Sequence, residues 1–214
     1  MAQASGIPVE EEGSTRDRML DAALGAFSEL GFDGASTREI ASRAGVNQGL
    51  IPYYFGSKQG LWREAVDRSF TQLQSEVERT VQNSGARDGR TVAAEVIRAV
   101  VQRAAENPEF HRLMTSEGKS DGPRLHWIVD QHVRPLYQSL ARIAREAGPD
   151  TLLANLDPIL VHYLLVGATT HLFHQAPECV RLTGRDPSEA EMVRAHGDAL
   201  VAMFLGPDVE STAS

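Results

Sequence analysis

Between Ser36 and Lys58 the chain reads STREIASRAGVNQGLIPYYFGSK, a short stretch dense in polar side chains, with one lysine and a tyrosine pair. The chemistry these residues offer is recognition of a base edge. Gln48 can pair in a bidentate manner with adenine, and Leu50 can meet a thymine methyl. A helical hairpin buried in a core would leave Thr37, Arg38, Asn47, Gln48, Tyr53 and Lys58 to be satisfied away from water, which is costly. The other residues that invite chemistry are the histidines, all seven of which lie beyond residue 110. His171 and His174, one helical turn apart, could share a metal face, and a metal-dependent enzyme using that pair is the competing reading. No Glu–His pattern of metalloprotease spacing accompanies them, and the nearby carboxylate, Glu178, lies past Pro177. Glycine-rich phosphate loop, GxSxG elbow and Cys–His pattern are likewise absent from the sequence. The expectation is therefore no metal, no cofactor and no catalytic residue.

Two short helices must position the groove-facing side chains. Ser36 followed by Glu39 forms a capping box, in which the serine oxygen accepts from the Glu39 N–H and the glutamate reaches back to the cap. The helix so begun carries Ile40, Ala41 and Ala44 on one face and stops at Gly45, which tolerates left-handed backbone angles. Val46 follows as an apolar plug, and Asn47 caps a second short helix through Tyr53 or Tyr54. Two short helices about a glycine turn form a helix-turn-helix, whose second helix enters the major groove. Gly49 removes a side chain where the backbone must approach closely, and Ile51 and Phe55 read as core. Pro52, at the fifth helical position, forfeits a backbone hydrogen bond and predicts a kink.

From about Thr15 to Trp62 the sequence resembles the DNA-binding region of the TetR family of ligand-responsive transcriptional regulators. The resemblance rests on TREIASRAGV, the spacing to YYFGSK, and KQGLW. It implies that Gln48, Gly49, Leu50 and Tyr53 face the groove and that Tyr54 and Lys58 face the backbone, Lys58 as a phosphate contact. Ser36, Thr37, Arg38 and Asn47 complete the DNA-binding set. Pro52 departs from the family pattern, which more often has a tyrosine or another hydrogen-bonding residue there.

Composition narrows the alternatives. With 214 residues, 42% of them hydrophobic, the chain can fill one large core or two modest ones. A single cysteine, Cys179, excludes an intramolecular disulfide and a cysteine-cluster zinc site, and fits a reducing cytoplasm. The N-terminal MAQASGIPVEEEG lacks the basic and apolar regions of a signal peptide. The apolar run from Pro158 to Phe173 is too short for a bilayer span, so no membrane is expected. Net charge is −8, yet Ser14–Arg68 holds seven basic and seven acidic residues. A neutral head must rely on placed contacts and helix N-termini rather than bulk charge. This opposes a third reading, a non-specific architectural DNA protein.

Helical periodicity with no strand-like alternation predicts an all-α protein of about nine helices. Residues 1–13 read as a mobile acidic tail. Ser14 then caps a helix whose stripe of Met19, Leu20, Ala23, Leu24, Phe27 and Leu30 ends at Gly31, with Phe32 closing a small core. A phosphate or solvent would compensate Arg16 and Arg18 in its first turn. Ser57 caps a long rod to about Asn83 that links the head, residues 14–62, to a body, residues 63–206, with a tail at 207–214. Pro135 should kink or break the helix that follows Pro123.

The helices carrying Ile159, Leu160, Tyr163, Leu164 and Val166 and carrying Leu200, Val201, Met203 and Phe204 are apolar on more than one face. Such helices must be covered on all sides. The expectation is a homodimer through Ile159, Tyr163, Val166, Leu200, Met203 and Phe204, a four-helix interface that the resemblance also implies; a monomer with a thick core is the alternative. A dimer would place two heads on the half-sites of an inverted-repeat DNA operator, about 34–36 Å apart. An apolar pocket for a small-molecule effector is expected from Val96, Val100, Phe110, Met114, Trp127 and Tyr163 beside His111, His126 and His162, although each apolar residue also reads as plain core. The resemblance implies a repressor released by its effector. A helical small-molecule-binding protein with little specific DNA reading remains the alternative function.

Overall fold

The computed structural model describes residues 9–85 and 87–206. Every regular element among the described residues is helical: α1 (Val9–Gly34), α2 (Thr37–Ala44), α3 (Leu50–Phe55), α4 (Lys58–Ser84), α5 (Gly89–Glu106) and α6 (Pro108–Glu117) come first. A continuous helix follows, made of α7 (Pro123–Ile128), a π turn (Val129–Val133) and α8 (Arg134–Glu146). Then come α9 (Leu152–Asn155), α10 (Pro158–His174), α11 (Ala176–Thr183) and α12 (Ala190–Leu205). Two short helices, α9 and α11, exceed the nine that periodicity predicts, because segments of one or two turns are too brief to display a period.

The N-terminal start differs from expectation. The backbone is helical from Val9, so Ser14 lies inside α1 rather than at its cap, and the tail at 207–214 and residues 1–8 fall outside the described residues. The predicted end is observed: Gly31 leaves helical geometry at φ 70°, and the chain bends there. Phe32 then stacks on Phe27, with centroids 5.7 Å apart, and meets Trp62 edge-on. Arg16 is satisfied within the protein, pairing with Glu64 and lying 5.6 Å from the Phe55 ring.

Pro135 neither breaks nor ends its helix. It sits in the first turn after the π turn, where the wider backbone accommodates a missing N–H and the ring's clash with the preceding carbonyl.

Two buried clusters result. One joins α1, α2, α3 and the first half of α4 to Phe110 and Leu113 of α6 and Ile128 of α7. The other joins the end of α4 to α5, α8, α9, α10 and α12. The α4 helix runs through both, packed on α1, α3 and α5. No helix among the described residues is long and apolar enough to cross a membrane.

Candidate nucleic-acid interface and internal cavity

The local geometry of the α2–α3 unit follows from its caps. Ser36 Oγ accepts from the Glu39 N–H at 3.1 Å. The reciprocal half of the box is absent, because the Glu39 carboxylate instead accepts from Arg43 at 2.7 Å, and Arg43 also pairs with Glu29 on α1 at 2.9 Å. Gly45 adopts φ 66°, ψ 37°, and its N–H closes the α2 terminus. An L side chain there would be strained, so glycine is required for the turn. Asn47 Oδ1 accepts from the Gly49 N–H at 2.8 Å, an Asx turn that leads into α3.

Because α3 begins at Leu50, Pro52 is its third residue rather than its fifth. Its absent N–H falls among the first-turn donors that have no intrahelical partner, so no bond is lost there. Tyr53 is 71% exposed directly beside it. Of the predicted DNA-facing residues, Ser36, Arg38, Asn47, Gln48, Gly49 and Tyr53 are exposed, and Thr37 is partly so. Gln48 Nε2 donates to Thr37 Oγ1 at 3.0 Å, tying the start of the second helix to the start of the first. Leu50 and Tyr54 pack partly against the core, so Leu50 offers less of itself to a groove than expected. Ile51 and Phe55 are buried. Lys58 is held with its ammonium 4.6 Å from the Phe32 ring centroid and 3.4 Å from the Asp33 carbonyl.

The α4 N-terminus is capped by Ser57, whose Oγ accepts from the Gly60 N–H at 3.0 Å. A Cβ at Gly60 would lie 2.1 Å from the Phe55 carbonyl oxygen, closer than atoms can approach. Glycine therefore sets the distance between α3 and α4.

Inside the body lies a cavity of about 130 Å³, lined by Phe70, Leu73 and Val77 of α4, Phe110, His111 and Met114 of α6, Val133 of the π turn, and Leu136 and Leu140 of α8. Val100, His162, Val166, Thr169 and Thr170 complete the wall. A second compartment of about 60 Å³, bounded by Val96, Tyr137 and Pro158, shares Val100, Leu140, His162, Val166 and Thr169 with the first. Of the nine residues expected around a pocket, Val96, Val100, Phe110, His111, Met114 and His162 line these compartments. Three do not. His126 is exposed and pairs with Asp121, and Trp127 packs on Trp62 at 5.5 Å beneath the Arg63 guanidinium. Tyr163 points outward, 69% exposed.

Sequence reasoning overlooked the α4 wall and the threonine pair. The signal for the latter was visible as two adjacent polar residues interrupting an apolar helix. Burial pushes the His111 imidazole down to about 4, with the positive charges of His174 and Arg103 acting in the same direction. Burial also lowers His162 and His174. The His171 and His174 rings meet edge-to-face at 5.0 Å, and no group of three or more metal-ligating side chains exists among the described residues.

The expected dimer face needs correction. Ile159, Tyr163, Val166 and Met203 are exposed, but Leu200 (6% exposed) and Phe204 (1%) are buried in the protomer's own second core. One stripe of α12 packs on α5, so an apolar helix here serves its own chain first.

Residues 19–65 match the family described as bacterial regulatory proteins, tetR family, and residues 92–204 match the tetracyclin repressor-like C-terminal domain. The chain is 27% identical over 177 residues to the HTH-type transcriptional repressor NicS of Pseudomonas putida, covering 79% of this chain and 80% of that protein. It is 30% identical over 171 residues to the HTH-type transcriptional dual regulator CecR of Shigella flexneri, covering 71% and 72%. The fold is shared with the transcriptional regulator FadR from Bacillus subtilis in complex with stearoyl-CoA, at TM-score 0.61 and 17% identity, covering 90% and 99%. A helix-turn-helix with this geometry, continuous with a helical body, the first matched by one domain of the family and the second by the other, has one assignment: the chain belongs to the TetR family of DNA-binding transcriptional regulators.

Proposed function

We propose that the protein is a homodimeric repressor that reads an inverted-repeat operator and leaves it when a largely apolar small molecule fills the internal cavity. The observation that carries this reading is the path of α4: its first turn bears Lys58 and packs on α3, and about three to five turns later Phe70, Leu73 and Val77 form a wall of the cavity. One rigid helix thus touches both sites.

In this reading Gln48 and Tyr53 face bases, while Lys58 and the α4 N-terminal N–H groups meet phosphate. The head spans residues 14–62 and the body 63–206. Ile159, Tyr163, Val166 and Met203, with their exposed neighbours Leu160 and Leu164, supply an apolar face on α10 and α12 for a second copy. The pairing sets two heads on half-sites about 34–36 Å apart. A ligand releases DNA only to the extent that it binds the splayed arrangement of heads more tightly than the DNA-fitting one. The stearoyl-CoA bound by FadR supports an effector with a large hydrocarbon part.

Selection of bound DNA from a random pool tests the proposal. Enrichment of an inverted repeat supports it and yields the operator for effector screens. Recovery of unrelated sequences by a folded dimer refutes operator reading.

A further inference from the structure

The cavity's few polar groups are of one kind. No lysine, arginine, aspartate or glutamate lines either compartment. Thr169 Oγ1 donates to the Leu165 carbonyl and Thr170 Oγ1 to the Val166 carbonyl, each at 2.7 Å. With their protons so engaged, both threonine oxygens can only accept from a guest. His162 lines both compartments, and its Nδ1 is buried without a hydrogen-bond partner. Its ring is fixed edge-on by Tyr137 and Tyr163, with centroids 5.6 and 5.3 Å away. His111 is on the same wall, beside Arg103 and His174, which disfavour a further positive charge.

A hydroxyl suits this set, since it donates to a threonine oxygen or an imidazole nitrogen and accepts from an imidazole N–H. A carboxylate offers acceptors only, so it opposes the threonines acceptor to acceptor, and no cation in the wall compensates its desolvation. An ammonium would be buried with no carboxylate to pair it. From this complement we infer that the cavity selects an uncharged amphiphile, whose hydrocarbon part occupies the two compartments and whose hydroxyl-type group bonds either His162 or the Thr169–Thr170 pair about two turns further along α10, and that it rejects the anionic and cationic analogues.

This inference rests on the cavity being the effector site, and the experiment separates the two. 1-Octanol, octanoate and octylamine are titrated into the full-length protein at neutral pH and followed by calorimetry. The expected result is octanol binding at least about tenfold tighter than either ion. Thr170→Val, which keeps the shape and removes one acceptor, or His162→Phe weakens octanol several-fold, according to which end of the cavity holds the hydroxyl. Unchanged circular dichroism confirms that both variants are folded, and octanol binding unchanged in both overturns the inference. Octanoate or octylamine binding as tightly as octanol, or no binding of any probe, overturns the inference. Selective octanol binding that leaves the operator complex intact sustains the ligand class and refutes the effector reading instead.

Discussion

Protonation of the body should weaken the fold in a defined window. His111 titrates ordinarily near 6.5, and burial beside His174 and Arg103 pushes it down to about 4. The unfolded chain therefore takes up a proton as pH falls through about 6.5, while the folded chain does not until about 4. The unfolded state binds more protons throughout that interval, so stability is unaffected above it and is lost progressively as pH falls within it. The full displacement corresponds to ~3 kcal/mol, of which about 2 kcal/mol is gone at pH 5. His162 and His174 are shifted in the same direction and add to the loss. Replacing His111 by Phe, a ring of similar size, removes one titrating group from the cavity wall, where Phe110 and Met114 are its apolar neighbours on α6. Urea unfolding at fixed protomer concentration, from about pH 7 to about pH 5, should give a variant whose stability falls by about 2 kcal/mol less than the parent's. Superimposable acid limbs would refute the idea that His111 is held neutral by its surroundings.

Lys58→Ala should weaken operator and random DNA alike and reduce the salt slope by about one, whereas Gln48→Ala should cost about 1–3 kcal/mol on the operator alone; equal losses on both DNAs in binding assays would remove the division between phosphate and base contacts. Gly60→Ala places a methyl against the Phe55 carbonyl oxygen and should destabilise the head by roughly 1–3 kcal/mol in thermal melts, with operator binding lost in parallel. Leu164→Asp, on the exposed face, should yield folded monomers in sedimentation, while Leu200→Asp should unfold the protomer because that side chain is buried. A Leu164→Asp protein that remains dimeric would place the interface elsewhere.

The recognition unit was legible in the sequence because its determinants are local. A serine three residues before a glutamate, a glycine where the backbone turns left-handed and an asparagine before the second helix each act within one turn. Where a second partner competed, the local reading failed: Glu39 was claimed by Arg43, itself also paired with Glu29, rather than by the Ser36 backbone. Pro52 was misjudged by two residues of helix register, enough to change a lost hydrogen bond into a harmless one. Surface and core on α12 were not separable by hydropathy, because Leu200 and Met203 are equally apolar and only the packing of α5 decides which is covered. The cavity was half visible. His111, His162 and Met114 were expected there, but its α4 wall looked like ordinary rod core, and Trp127 looked like pocket lining until Trp62 and Arg63 were placed around it.

The contacts around Phe70 suggest why filling a body cavity would move a distant head. Phe70 meets Phe110 edge-on at 4.9 Å and stacks parallel to His132 at 4.6 Å, with 5° between the planes. His132 is brought there by the π turn and joins Nε2 to Asp67 Oδ1 on α4 at 2.7 Å. Helix α4 is thus held by α6 on one side and by the π turn on another. Phe110 belongs to the same buried cluster as Met19, Phe27 and Ile40, and α6 packs directly on α1. A guest that displaces Phe70 must therefore displace Phe110 or His132, and interiors packed at this density respond by moving whole elements rather than by yielding locally. On the proposed mechanism the transmitting unit is α4 clamped by α6 and the π turn, not a rod acting alone, and its stiffness comes from three aromatic rings and one imidazole–carboxylate bond.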